Sequence, residues 1–238
     1  MVDHQRLAGV LVAFARNLVG DYDIDVMLDA LCREVAAALP VTAAGVMIAD
    51  EGGNLRFVAA SDDLVREIES LQIELGEGPC LHAYMTGEQV VEEDLEVGSR
   101  FPRFAPRAVK AGLRGVYSFP MRLHDGDQHV GALNFYTAGP GDFGDEDREA
   151  GQILADVATS YILNARAFEH SVRLTGQLQH ALDTRVVVEQ AKGKLSEQLA
   201  TSPSEAFERM RQHARRNRRK LHDIAREILD GRLRLGEP

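Results

Sequence analysis

The sequence predicts a mixed α+β domain built on an antiparallel sheet with flanking helices, joined by a long helix to a small three-helix domain. Three observations carry this reading. Two strand–turn–strand patterns lie between residues 43 and 138 with helical stretches inserted between them, the arrangement of helices on an antiparallel sheet. From Asp145 the pattern turns helical nearly to the end, with no spacer rich in glycine and proline. The charge divides along the same line. Residues 171–238 hold 14 basic and 9 acidic side chains, a net of +5, whereas residues 1–170 hold 13 and 28, a net of −15. Such an asymmetry separates two modules, expected over 1–168 and 169–238, and turns the basic one toward a polyanion.

Each element has its own signal. Residues 1–18, MVDHQRLAGVLVAFARNL, carry Asp3 at the head and Arg16 inside the apolar stretch, which suits an amphipathic helix and not a signal peptide. Ile24, Leu28, Leu31, Val35 and Leu39 recur at a helical period that Pro40 closes. "AAGVMIAD" (43–50), the turn "EGGN" and "LRFVAAS" (55–61) make a first hairpin. "DDLVREIESLQ" (62–72) is a short helix opened by an acidic cap. "LGEGPCLHAYMTG" (75–87) and "EQVVEEDL" (88–95) read as turn, helix and strand. "GVYSFPMRL" (115–123), the turn "HDGDQH" and "VGALNFYTA" (130–138) make the second hairpin.

Beyond Asp145, Leu154, Ala158, Tyr161, Ala165, Phe168 and Val172 alternate spacings of four and three, the seam of a coiled coil or helix pair. The next positions, Thr175 and Gln179, are polar while Leu174, Leu178 and Leu182 offer a shifted stripe, the pattern of a stutter where a linker helix enters a new module. The first helix of the last module carries two apolar faces, Leu178/Leu182/Val186 and Val188/Ala191/Leu195/Leu199, which call for two partners: its own bundle and a second chain. The second helix opens at "SPSE", with Ser202 as N-cap, Pro203 at the first helical position and Glu205 closing a capping box. Its apolar stripe is Ala206, Phe207, Met210 and Ala214. The third helix presents Leu221, Ile224, Ala225 and Ile228 and stops at Gly231.

Composition narrows the function classes. At 45 % hydrophobic and 27 % charged the chain reads as soluble and globular. No apolar run approaches the roughly 20 residues that cross a bilayer, so no membrane partner is expected. Two cysteines, Cys32 and Cys80, rule against a disulfide framework and suit a reducing cytoplasm.

"ARRNRRKL" (214–221) places five basic side chains in eight positions. Arg211, Arg215 and Arg218 are spaced four and three apart, one stripe beside the apolar one, and Arg216, Arg219 and Lys220 extend the charge around the turn. A charge run is commonly a solvated face. Here few acidic residues lie nearby, and like charges at helical spacing cost stability, which favours a phosphate-backbone partner. Gly193, inside "EQAKGKL" (189–195), costs about 1 kcal/mol relative to alanine in a helix. It admits two readings, close helix packing or close approach to a nucleic-acid backbone. Lys192 beside it is an exposed charge or a phosphate contact.

The stretch "LQHALDTRVVVEQAKGKLSEQLATSPSEAFERMRQHARRNRRKLHDIAREILDG" (178–231) resembles the ANTAR domain of transcription antitermination regulators. The preceding region resembles the GAF domains that often come before ANTAR modules in actinobacterial proteins, through "LGEGPC..AY.TGE.V...DL", "RFP.F" followed by "G.R.VYSFP", and "GALNFY". Together they cover nearly all of the chain. The resemblance implies a GAF-like sensor joined to a three-helix, ANTAR-like module whose dimers bind paired RNA stem-loops and so keep an overlapping terminator from forming. Carried over, it places RNA binding at Lys192 and Gly193, at Arg211, and in the turn of Asn217, Arg218, Arg219 and Lys220, with Arg215 and Arg216 beside them. Two departures stand out: polar Ser196-Glu197 where the family carries apolar residues, and Met210 where it carries leucine.

The sensor half yields less. "GEGPCLHAY" reads as an anion-cradling loop or, more simply, as a tight turn before a proline-initiated helix. Cys80 and His82 form a Cys-x-His pair without a second pair to complete a zinc site, which favours a buried structural cysteine over a metal ligand or redox thiol. His124 and His129 flank a turn and are expected at the surface, and "EEDLE" (92–96) as a solvated loop. With no nucleophile–base pair or metal set, the chain reads as a non-enzymatic regulator without a cofactor. The expected partners are RNA, a second copy of the chain bound through the linker and first C-terminal helix, and an unidentified small molecule in the sensor. A helix-turn-helix DNA-binding regulator is the alternative.

Overall fold

A computed structural model describes residues 24–123, 129–141 and 143–236, together with Gln5, Ala8, Gly9 and Val12. The expected N-terminal helix lies largely outside the described residues, as do His124 and the tip of the second hairpin. The chain divides into two compact units, Met1–Ala167 and Phe168–Pro238.

In the first unit the two hairpins form one sheet. Helix α1 (Ile24–Ala38) leads into β1 (Ala43–Ala49) and β2 (Leu55–Ala60). Helices α2 (Asp63–Leu75) and α3 (Pro79–Thr86), the short strand β3 (Val90–Glu92) and α4 (Ala105–Lys110) then precede β4 (Gly115–Arg122) and β5 (His129–Thr137). The strand order is β2-β1-β5-β4-β3, antiparallel throughout. Both faces are covered. Leu28, Leu31 and Val35 of α1 and Leu154, Ala158 and Ile162 of the following long helix pack on one, against Val46, Phe119, Leu133 and Phe135. Val65 and Ile68 of α2, Cys80 and Ala83 of α3 and Ala105 and Ala108 of α4 pack on the other, against Met47, Val116, Ala132 and Tyr136. Two covered faces explain why β1 is buried at every position and reads as a continuous apolar run instead of an alternating one. Pro120, which lacks an N–H, sits in β4 beyond the stretch that pairs with β3, where no ladder bond is lost on that side.

Helix α5 runs from Asp145 to Gln198, 54 residues without interruption. Three acidic side chains in its first turn match the positive end of its dipole. The expected stutter breaks nothing. The four–three spacing of Leu154, Ala158, Tyr161, Ala165, Phe168 and Val172 passes through Thr175 and Gln179 and reaches Leu182, Val186, Glu189 and Gly193. Leu182 and Val186 continue that register across the polar interval, while Leu174 and Leu178 lie beside it.

In the second unit the end of α5 packs with α6 (Pro203–Arg216) and α7 (Leu221–Leu229). Val188, Ala191 and Leu195 meet Ala206, Met210 and Ala214, and Ile224, Ala225 and Ile228 complete the core. Of the two faces expected on this helix, one fills that core. The other stays open, with Leu178, Leu182 and Val186 each more than half exposed.

Candidate nucleic-acid interface and sensor core

Turn chemistry positions the basic cluster. Ser202 caps α6 by accepting from the Glu205 N–H at 3.2 Å, with Pro203 at the first helical position. The Glu205 carboxylate takes the Thr201 hydroxyl, so its partner lies in the preceding turn. Ser196 donates to the Thr201 carbonyl at 2.6 Å, which gives the polar departure at that position a role in closing the turn between α5 and α6. At the far end of α6 the Arg219 N–H bonds the Ala214 carbonyl at 2.9 Å and the Arg218 N–H bonds that of Arg215 at 3.2 Å. This pair of bonds is a Schellman closure. It requires a left-handed residue after the cap, and that residue is Arg218, at φ 51°.

This geometry redraws the basic stripe. Arg218 lies in the turn, not on α6, so the helical stripe ends at Arg215. Carboxylates also stand closer to the basic side chains than the charge run suggested. Arg211 pairs with Glu208 at 2.9 Å, Lys192 pairs with Glu189, and Arg219 forks onto Glu227 at 2.9 and 2.7 Å. The fork holds the Arg219 guanidinium above its ordinary pKa and the Glu227 carboxyl below its own. Asn217 folds its amide back onto the His213 carbonyl at 2.9 Å. Among the described residues Arg215, Arg216, Arg218 and Lys220 make no ion pair, and all four are exposed. Gly193 is exposed, and nothing lies within 4 Å of where its Cβ would be. Close packing within this unit therefore does not account for it. The spacing gave no sign of Lys194, whose Nζ donates to the Leu229 carbonyl at 2.8 Å and ties α5 to the end of α7.

The sensor holds a polar cluster that pattern reading missed. Glu69 is fully buried on α2. Its Oε1 accepts from Asn134 Nδ2 at 2.8 Å and Tyr136 OH at 2.9 Å, and its Oε2 accepts from Gln72 Nε2 at 3.3 Å. Gln72 in turn accepts from the Cys80 N–H at 2.9 Å. Two glycines make the room: a Cβ on Gly45 would stand 2.5 Å from Glu69 Oε1, and one on Gly78 2.2 Å from Gln72 Oε1. No cation faces the carboxyl among these partners, and burial pushes it up to about 7 against the opposing pull of the Tyr136 and Asn134 bonds. The available signal was a glutamate and a glutamine three apart on the apolar side of α2.

In this half the favoured readings of the glycine loop and of Cys80 hold, while those of "EEDLE" and His129 change. The first amide of α3 is occupied by Gln72, so the glycine loop is no free anion cradle, and Glu77 instead accepts from the Arg103 and Phe104 N–H groups at 2.7 and 3.0 Å. Cys80 is buried and burial raises its thiol well above the ordinary range, which keeps it protonated and unreactive. "EEDLE" is no solvated loop: Glu92 is buried against Arg100 at 2.9 Å, and Arg114 joins Asp94 at 2.8 Å and Glu96 at 2.9 Å. His129 is half-buried, with Nδ1 against the Tyr84 carbonyl. Among the described residues no helix is long and apolar enough to cross a membrane.

Comparison with known proteins places both units. The GAF domain family matches residues 21–162, more than half of the chain, and the ANTAR domain family matches residues 176–229. No curated protein matches the chain significantly. Among solved structures, the GAF domain from a phosphoenolpyruvate-protein phosphotransferase of Coxiella burnetii aligns with a TM-score of 0.55 at 17 % identity, over 71 % of this chain and 99 % of that one. The corresponding Acinetobacter GAF domain gives 0.53 at 18 %, over 69 % and 97 %. Free methionine-R-sulfoxide reductase from Neisseria meningitidis, solved with its substrate, gives 0.52 at 15 %, over 68 % and 90 %. At these identities the likeness is one of fold. A GAF domain ahead of an ANTAR domain is the composition of a signal-sensing regulator. The chain belongs to the GAF domain family and joins its sensor to an ANTAR domain in the GAF–ANTAR architecture.

Proposed function

We infer that the protein is a cytoplasmic, non-enzymatic regulator that binds RNA stem-loops through its ANTAR domain as a homodimer, and so prevents transcription termination in response to a signal in its GAF domain. The observation that carries the reading is the turn between α6 and α7. A left-handed backbone costs an arginine roughly 1–2 kcal/mol where glycine would be nearly free, yet Arg218 occupies it, between Arg215, Arg216 and Lys220, none with an ion pair among the described residues. Strain retained at an exposed cationic position supports a ligand that needs the side chain, and guanidinium forks suit phosphates and unpaired bases.

The open seam of α5 supports the dimer. Phe168, Val172, Leu182 and Val186 are exposed at coiled-coil spacing, while Thr175 and Gln179 supply the polar layers that fix register. A second copy of the same helix buries that stripe, and Gly193 at its end lets two backbones approach. The signal acts by shifting the population of dimer geometries that present the basic turns.

Competition between a fluorescent RNA carrying two stem-loops and duplex DNA of the same sequence tests the reading. Arg215→Ala and Arg218→Ala should each weaken RNA binding and lower the salt slope by about one unit. Equal affinity of the wild type for RNA and DNA would move the protein to a DNA-binding class.

A further inference from the structure

A second basic surface lies on the other flank of α6 and reaches the turn at Arg216. At about 100° per residue, Arg209, His213 and Arg216 fall on the opposite flank of the buried Ala206, Met210 and Ala214 stripe from Arg211 and Arg215. Together with Arg234 they line an open groove of about 580 Å³. The sequence grouped Arg216 with the turn and passed over Arg209 and Arg234. The C-terminal segment forms the far wall, and alternation fixes its orientation: Leu233 and Leu235 pack against the core of this unit, leaving Arg232 and Arg234 exposed. The Arg232 and Leu233 N–H groups hold the segment by bonding the Glu227 carbonyl at 2.8 and 3.1 Å.

The arginines that line the groove lack carboxylate partners among the described residues. Arg211, Arg219 and Arg232 each have a carboxylate partner. Arg209, Arg216 and Arg234 have none among the described residues, although two carboxylates also line the groove. Glu208 is already paired with Arg211, and Glu205, whose only side-chain partner among the described residues is the neutral Thr201 hydroxyl, leaves one carboxylate against three guanidiniums. Three guanidiniums around one concavity repel one another unless an anion joins them, and the planar fork of arginine matches a phosphodiester.

We propose that the groove formed by Arg209, His213, Arg216 and Arg234 is a phosphate-binding site through which the ANTAR domain takes a second hold on the nucleic-acid backbone. This rests on the RNA-binding reading above and extends it. Nucleic acid on the outward face of α6 is then gripped on both flanks, by Arg211 and Arg215 on one side and by the groove on the other. The groove reads no bases. Its contribution is the same for any sequence and vanishes with salt.

The test uses the full-length chain, a fluorescent RNA with two stem-loops, the same RNA with scrambled loops, and duplex DNA, each titrated across a range of salt. The double variant Arg209→Ala/Arg234→Ala should lose about tenfold or more in affinity for all probes it binds, with the salt slope reduced by about two units and the preference for intact loops unchanged. Arg209→Lys/Arg234→Lys keeps the charge and should recover most of the slope. Circular dichroism and melting temperature confirm that the variants fold. Wild-type affinity and slope in the alanine double variant would overturn the groove while leaving the RNA reading intact. Equal wild-type affinity for RNA and DNA, with the double variant weakened on both, would keep the phosphate site and overturn the RNA reading. No binding of the wild type to any probe would overturn both.

Discussion

Arg218 and Glu69 are two side chains held where an ordinary ledger of propensity would not put them. Replacing Arg218 with glycine removes the left-handed penalty, so Arg218→Gly should raise stability by about 1 kcal/mol while weakening RNA binding. A thermal melt and a binding titration on the same sample check both signs, and a variant that gains neither stability nor loses affinity would mark the turn as structurally indifferent. Glu69 carries a different signature. Its folded pKa is raised to about 7 from 4.5, so the neutral form stabilises the fold fully below the unfolded value, and that contribution is lost as pH rises toward 7. The window amounts to roughly 3 kcal/mol. Asp50, Asp94 and Glu227 are lowered and act in the opposite sense at acid pH. The difference between wild type and Glu69→Gln isolates the buried group: wild type should lose stability relative to the variant between pH 4.5 and 7, read as the denaturant midpoint. A pH-independent difference would show that Glu69 is not protonated in the folded sensor.

At the scale of elements, α5 combines a seam buried at Leu154, Ala158 and Tyr161 with the same spacing left open at Phe168, Val172, Leu182 and Val186. Placing acids there, as in Leu182→Asp/Val186→Asp, should raise the dimer dissociation constant about 100-fold or more without unfolding either unit, as followed by analytical ultracentrifugation. A wild type that is monomeric at micromolar concentration would contradict the role given to the seam. The elements themselves were readable because their signals are local. Ser202 and Pro203 start α6, Asp62 caps α2 by accepting from the Val65 N–H at 2.9 Å, and Asp50 closes the turn of the first hairpin by accepting from the Gly52 and Asn54 N–H groups. What stayed hidden depends on separation in the chain. Glu227 reaches Arg219 only because the Schellman turn reverses the backbone, and Glu69 meets Asn134 and Tyr136 across 65 and 67 residues. The end of the basic stripe was misjudged for a related reason, since spacing alone cannot tell the last helical residue from a turn.

For the whole molecule, an acidic sensor and a basic module share one chain, with a net of −15 over residues 1–170 and +5 over residues 171–238. That division keeps nonspecific contact with polyanions to the smaller unit and leaves the sensor free of it. The GAF and ANTAR matches mark a signal-sensing regulator, and the helix Asp145–Gln198 belongs to both units. We propose that the ANTAR domain acts on a transcript as it is made. The most direct measurement is terminator read-through in a purified transcription reaction on the leader adjacent to this gene, with wild type and the Arg215→Ala/Arg218→Ala variant. Wild type should raise the read-through fraction several-fold, and the variant, folded and dimeric, should leave it at the level without protein. Read-through that the variant supports as well as the wild type, or that the wild type does not change while binding the same leader, would contradict it.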